Sequence, residues 1–227
     1  MTFLIYFAVL LIIPIWAQMR VKRTYSKYSE VANSTGKTGA EVAREILDRN
    51  GLYDVAIEPV EGHLSDHYDP RDKVVRLSED NYYGHSIAGS AVAAHEVGHA
   101  IQDAQNYSPL RIRHALVPVA NIGSNFSYLL ILAGMLLASA KLLLVGIIFM
   151  GAAVLFQLVT LPVEFNASSR AMKQMVGNGL IGSGEEEGRA RKVLNAAALT
   201  YVAAALVAVL ELLRFVLSYI GLSGSDD

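Results

Sequence analysis

His95-Glu96-Val97-Gly98-His99 forms an HExxH pattern, with two metal-ligating imidazoles flanking a carboxylate. Residues four apart on a helix lie one turn above each other, so His95 and His99 can share one cation. Glu96 is then placed to act as general base on a water that attacks a carbonyl. A hydrolytic zinc site takes three protein ligands and keeps a fourth position open. The chain has no cysteine, so the third ligand must be histidine, aspartate or glutamate. Glu164 is the best candidate. His99 shortly precedes one apolar run and Glu164 directly follows the next, so a hairpin of two spans returns both to one membrane face. An interfacial capping glutamate, suited by Pro162 upstream, is the plainer reading of the same residue.

A second cluster, Gly62 to Pro70, contains His63, Asp66, His67, Tyr68 and Asp69. His63 and His67 make an alternative metal pair, but the glycine and proline there argue for a loop, where four-residue spacing carries no special geometry. Asp66, His67 or Tyr68 could line the cleft and hydrogen-bond a substrate carbonyl or a ligand histidine, and His67 is taken as a second catalytic candidate. A turn held by Asp66 and Asp69 explains the cluster equally well. His85 and His114 are given no role.

The elements that must position these groups divide into aqueous and apolar stretches. Of the residues, 53% are hydrophobic and 18% charged, fewer charges than in an ordinary soluble domain. The apolar excess gathers in four runs, read as transmembrane helix 1 over 1–17, a hairpin of helices 2 and 3 over 115–161, and helix 4 over 196–222. Span 1 is expected to be a retained anchor, since it lacks the basic start and small-residue cleavage site of a signal peptide. Lys141 marks the hairpin turn, near Ser139 to Lys141, and Pro162 bounds the third span. Asn121, Ser124, Asn125 and Ser127 are polar for a span and suit a bundle interior. Glu211 and Arg214, three apart on one helix face, are read as a structural pair.

Between the spans lie an aqueous domain over 18–114 and a segment over 162–195, with a tail over 223–227. Thr38 to Asn50 reads as an amphipathic helix stopped by Gly51, and Asp54 to Val60 and Lys73 to Leu77 as short strands. Gly62 to Asp72 is turn-rich. Ser86 to Ala104 is the helix that bears the motif, with Gln102 and Asp103 marking its other face. The strand near Val74 to Leu77 is expected to be an unpaired edge able to hold an extended peptide. Gly177 to Gly184 is a loop, and Glu185 to Glu187 open a helix whose dipole they complement. Basic residues cluster beside the aqueous segments (Arg20, Lys22, Arg23, Lys27, Arg111, Arg113, Arg170, Lys173, Arg189, Arg191 and Lys192). The positive-inside rule puts those segments in the cytoplasm and both termini outside. A net charge of −2 offers no footprint for nucleic acid.

Three separated blocks, Ser65 to Ser78, Ala93 to Gln102 and Leu161 to Ala171, resemble the membrane zinc metallopeptidases of the YugP-like group. A weaker similar stretch runs from Ala196 to Ala205. More distantly, the chain resembles the HtpX-like membrane proteases, whose catalytic domain has a gluzincin fold. The resemblance covers nearly the whole chain. It implies Zn(2+) at His95 and His99, Glu164 as third ligand, catalysis by Glu96, and endopeptidase action on membrane or misfolded proteins. One departure stands out. The HtpX-like pattern has an aspartate four residues after its ligand glutamate, where this chain has Ser168, so a ligand histidine would receive weaker electrostatic support.

The expected fold class is therefore α+β: a multi-span transmembrane helical bundle with a small cytoplasmic gluzincin-like metalloprotease domain. The expected function is a zinc-dependent endopeptidase in the cell membrane, multi-pass, acting on a protein or peptide substrate. The lipid bilayer is its other partner, with a regulatory membrane protein or homo-oligomer left open. A catalytically inactive metal-binding scaffold or chaperone is the main alternative. A transporter or channel using Glu211, Arg214 and the span-two asparagines is less well supported, because no paired repeat of spans is visible.

Overall fold

A computed structural model describes residues 2–223 of the chain. Four of its helices are long and apolar enough to cross a membrane. They are α1 (Thr2–Ser29), α5 (Ser108–Leu136), α6 (Ala140–Gly177) and α7 (Glu185–Ser223). Each exceeds the roughly 20 residues that a bilayer requires. The remaining elements are α2 (Gly39–Arg49), β1 (Ala56–Val60), β2 (His67–Asp69), β3 (Val74–Ser78), α3 (Glu79–Tyr83) and α4 (Ile87–Ala104). Residues 224–227 of the expected tail lie outside the described residues.

The chain divides into two compact units. One comprises Met1–Pro14, Ser108–Pro162 and Tyr201–Asp227. Its core is purely helical, with Ile131, Leu143, Ile147, Met150, Val154 and Phe215 buried together. The α5–α6 hairpin turns over residues 137–139, and a Cβ on Gly134 would lie 2.5 Å from the Leu143 backbone nitrogen. Only glycine allows the two helices to approach so closely there. Glu211 accepts a hydrogen bond from the Tyr128 hydroxyl at 2.6 Å. Arg214 lies over the rings of Tyr6, Phe7 and Phe215.

The other unit comprises Ile15–Tyr107 and Val163–Thr200. Its core joins Val42, Ile46 and Leu47 of α2, Val75 and Leu77 of β3, and the alanine face of α4 to Met175 of α6 and Val193 of α7. Helix α2 starts as its sequence dictates. Thr38 accepts a hydrogen bond from the Glu41 amide, while Glu41 reaches back to the Thr38 amide, a reciprocal cap that satisfies two otherwise orphaned donors. Helix α4 is capped by Ser86, which accepts from the Gly89 amide at 2.9 Å.

The sheet has the order β1-β3-β2. Strand β1 runs parallel to β3, in register from Ala56 with Val74 to Val60 with Ser78. Strand β2 runs antiparallel to β3, pairing His67 with Arg76 and Asp69 with Val74. This corrects the expected edge strand. Val74 to Leu77 is central and its backbone is engaged on both sides, so it offers no free edge to a peptide. The missing neighbour, β2, arises within the stretch read as turns. Its pairing depends on β3 and on the Tyr68 hydroxyl, which donates to Asp103 of α4 at 3.0 Å. Pro162 likewise does not end a helix, since α6 continues through it to Gly177. A proline costs one internal hydrogen bond and crowds the preceding turn, and the long packed helix on either side absorbs that cost.

Helices α4 and α6 meet within this unit at Gly98. A Cβ there would lie 2.7 Å from the Ala167 carbonyl oxygen, closer than packed atoms tolerate. Gly98→Val is expected to destabilise the protein by roughly 1–3 kcal/mol, the usual cost of overpacking, and Gly98→Ala by less. Thermal unfolding of the purified protein checks this; an unchanged midpoint for both variants would contradict the close approach.

Candidate metal centre

Helix α4 projects His95 and His99 from successive turns, with ring centroids 4.8 Å apart. Helix α6 brings Glu164 against both. Its Oε2 lies 3.2 Å from His95 Nε2 and 3.6 Å from His99 Nε2. Among the described residues these three form the one group able to hold a metal ion, with ligand atoms all within 4.8 Å of one another. Four ligands at tetrahedral corners, about 2.0–2.1 Å from zinc, stand roughly 3.3–3.4 Å apart. The two carboxylate–imidazole spacings bracket that edge, and two imidazoles with a carboxylate are a donor set that suits such a cation. Glu164 is not a cap: it sits inside α6 and is 2% exposed.

The outer ring nitrogens explain why the Nε2 atoms face inward. His99 Nδ1 lies 3.0 Å from Gln102 Oε1. The Gln102 amide is oriented by its other bonds: Nε2 donates to the Val163 carbonyl at 2.8 Å and to Asn166 Oδ1 at 2.9 Å. With both donors spent on acceptors, Oε1 must accept, so His99 Nδ1 carries the proton and Nε2 offers its lone pair. Asn166 Oδ1 also accepts from Arg170 Nε, which extends the chain of bonds along α6. His95 Nδ1 lies 3.1 Å from Ser168 Oγ. Ser168, one turn beyond Glu164, thus occupies the place where the resemblance led one to expect an aspartate, and it supports His95 with a neutral oxygen.

Burial alone would push the His99 imidazole down. The nearby Glu164 carboxylate, 3.6 Å from its Nε2, and the negative charge of Glu96 outweigh it, and its pKa is raised. Glu96 is half-buried, and no side-chain hydrogen bond engages its carboxylate among the described residues. It is therefore unencumbered as a proton acceptor beside the ligands.

The Gly62 to Pro70 cluster falls elsewhere in this unit. Asp66 accepts from the Ser78 amide and hydroxyl and from Asn81, and Asp69 accepts from the Arg71 amide. These two acids hold the turns around β2. Burial and the Asp103 charge push the Tyr68 hydroxyl up, so it stays protonated and donates. His63 lies 5.2 Å from the Tyr25 ring. His67 is exposed on β2, with Nδ1 2.8 Å from the Ser65 carbonyl. That bond makes Nδ1 the donor, so the neutral ring presents Nε2 only as an acceptor. Neither histidine joins the three-ligand group.

Gln102 is the functional residue that sequence reasoning misplaced. Its polarity suggests the far face of α4, yet it is fully buried. The signal was available: residues three apart share a helix face, and Gln102 stands three after His99.

Compared with known proteins, residues 3–220 match a family model described as "Putative neutral zinc metallopeptidase". The chain belongs to that family. It is 58% identical over 212 residues to "Putative membrane protease YugP" of Bacillus subtilis (strain 168), covering 93% of each chain. No solved structure matches.

Two outcomes follow for metal binding. Gln102→Leu removes the acceptor that fixes His99 and should weaken zinc affinity about 10–100-fold. Competition titration against a chelating dye measures this, and unchanged affinity would contradict the orienting role. Because the raised His99 pKa means the metal-free site holds its proton to higher pH, affinity should fall as pH drops, by about tenfold per unit for each proton displaced. Titrations at about pH 8 and about pH 6, on either side of an ordinary imidazole pKa, check the sign.

Proposed function

We propose that this member of the family is a zinc-dependent endopeptidase of the cell membrane that hydrolyses peptide bonds in membrane or misfolded proteins. The observation that carries the reading is the convergence of His95, His99 and Glu164 beside an unencumbered Glu96. His95 Nε2, His99 Nε2 and Glu164 Oε2 would hold the ion. When bound, zinc would supply Lewis acidity toward a peptide carbonyl and a lowered pKa to an attacking water. Glu96 accepts that water's proton on a carboxylate oxygen and later delivers it to the departing amine. Gln102 and Ser168 keep the imidazoles oriented while this happens. His67 is retained as a substrate-side group, able to donate to a carbonyl from Nε2 only as the imidazolium.

A three-stranded sheet ahead of an HExxH helix, with the third carboxylate on a later helix, supports a gluzincin-like reading of the catalytic unit. The four apolar helices and the basic residues beside the aqueous segments support a multi-pass protein with its site in the cytoplasm. Its partners would be a protein or peptide substrate and the bilayer, with a regulatory membrane protein or further copies of the chain as candidates.

The test compares wild type with Glu96→Gln. Both should carry about one metal ion per chain, as one three-ligand site requires. Only wild type should cut an unfolded test protein, with the variant slower by at least about 10²-fold. Equal cutting would reject the mechanism. Metal binding with no cutting by either would favour the inactive scaffold. His67→Ala should lower kcat with metal content unchanged; an unaltered rate would remove His67 from the site.

A further inference from the structure

Helices α1 and α7 line an open groove of about 570 Å³ in the unit that contains the His95, His99 and Glu164 group. Its lining includes four cations, Arg20, Arg23, Lys27 and Lys192, together with Trp16 and Tyr28. Trp16, Arg20, Arg23 and Lys27 recur at four- and three-residue steps and so share one face of α1. No aspartate or glutamate lines the cavity. Among the described residues, none of the four cations has a carboxylate within ion-pair distance, whereas Lys37, Arg44, Lys73 and Arg76 all do. The Arg20 guanidinium lies 5.5 Å from the Trp16 ring, and the Lys27 ammonium 5.5 Å from the Tyr28 ring. These stacked rings hold two of the cations at the cavity.

We propose that this groove is a binding site for the phosphate headgroup of an anionic phospholipid. Four exposed cations that converge on one concavity with no acidic residue among them favour an anionic ligand there. The two-sided character of α1 says which kind. The helix has no charged residue before Arg20, and Ile15, Trp16 and Met19 are exposed just ahead of the cations. A lipid satisfies both halves, with its phosphodiester among the cations and its acyl chains along the apolar flank. Tryptophan at the junction suits the headgroup level of a bilayer, and basic pockets between membrane helices on the cytoplasmic side bind such headgroups. The proposal rests on the reading of α1 as a membrane helix. It adds a lipid ligand that neither the metal centre nor the proteolytic reaction requires.

The test uses the full-length protein purified in neutral detergent, titrated with phosphatidylglycerol or phosphatidylcholine and read by native mass spectrometry. Wild type should retain phosphatidylglycerol at least about tenfold better than phosphatidylcholine. The triple variant Arg20→Gln, Arg23→Gln, Lys192→Gln should lose that preference, at about fivefold per cation removed. A control that removes equal charge outside the groove, Lys37→Gln with Arg71→Gln and Lys73→Gln, should keep it. The conservative pair Arg20→Lys with Arg23→Lys should keep it as well, which guards against misfolding of the triple variant. Equal retention of the two lipids, or a preference that survives in the triple variant, overturns the proposal. Displacement of phosphatidylglycerol by millimolar inorganic phosphate would show a site for the free ion and likewise overturn it. Release of the protein from membranes by alkaline carbonate would reject the membrane reading and this proposal together, whereas lost lipid preference in a membrane-integrated protein rejects the proposal alone.

Discussion

A carboxylate 2% exposed and pressed between two imidazoles is the constraint on which the unit around it depends. An isolated ionised carboxylate is costly to bury, and it persists only when an opposite charge or a metal offsets the lost hydration. His95 and His99 supply that offset as proton carriers or as co-ligands. Much of the surrounding structure serves to bring the three groups together and to hold them there. Gly98 lets the α6 backbone close on α4. Its position inside the HExxH motif means the residue that permits Glu164 to approach is interleaved with His95 and His99.

Helical continuity does the rest. Because α6 runs unbroken past Pro162, Glu164 and Ser168 share a face one turn apart, and they reach His95 from both sides of its ring. Because Gln102 follows His99 by three residues on α4, it stands under that ring and bridges to the Val163 carbonyl and Asn166. Gln102 and Asn166, two polar side chains with no charge of their own, thereby fix the tautomer of His99. A fully satisfied buried network of this kind rigidifies a site; a half-satisfied one would cost more than an apolar core. Ser168 stands where the HtpX-like pattern has an aspartate, and it meets His95 Nδ1 with a neutral hydroxyl rather than a charged carboxylate.

What was legible in the sequence was local. The HExxH spacing, the Thr38 cap, the Ser86 start and the apolar helices all depend on residues within a few turns of one another. Glu164 was reachable because the hairpin between it and His99 could be counted. What failed depended on distant pairing. Strand β2 has no propensity signal and exists because β3 and Asp103 hold it, and its presence turns β3 from edge to centre. Pro162 was read by its local preference, which tertiary packing overrides. Gln102 was read by polarity rather than by its three-residue step from His99. The Asp66 and Asp69 turns were seen as one of two readings, and only the hydrogen bonds to Ser78, Asn81 and Arg71 show what those carboxylates hold.

X-ray absorption at the zinc edge on the purified, zinc-loaded protein reads most directly which side chains meet around the ion. The account predicts two imidazole nitrogens and carboxylate oxygen at about 2.0–2.2 Å, with the imidazole scattering kept and an oxygen contribution altered in Glu164→Ala. A first shell without imidazole scattering, or one that is identical in wild type and Glu164→Ala, would contradict it.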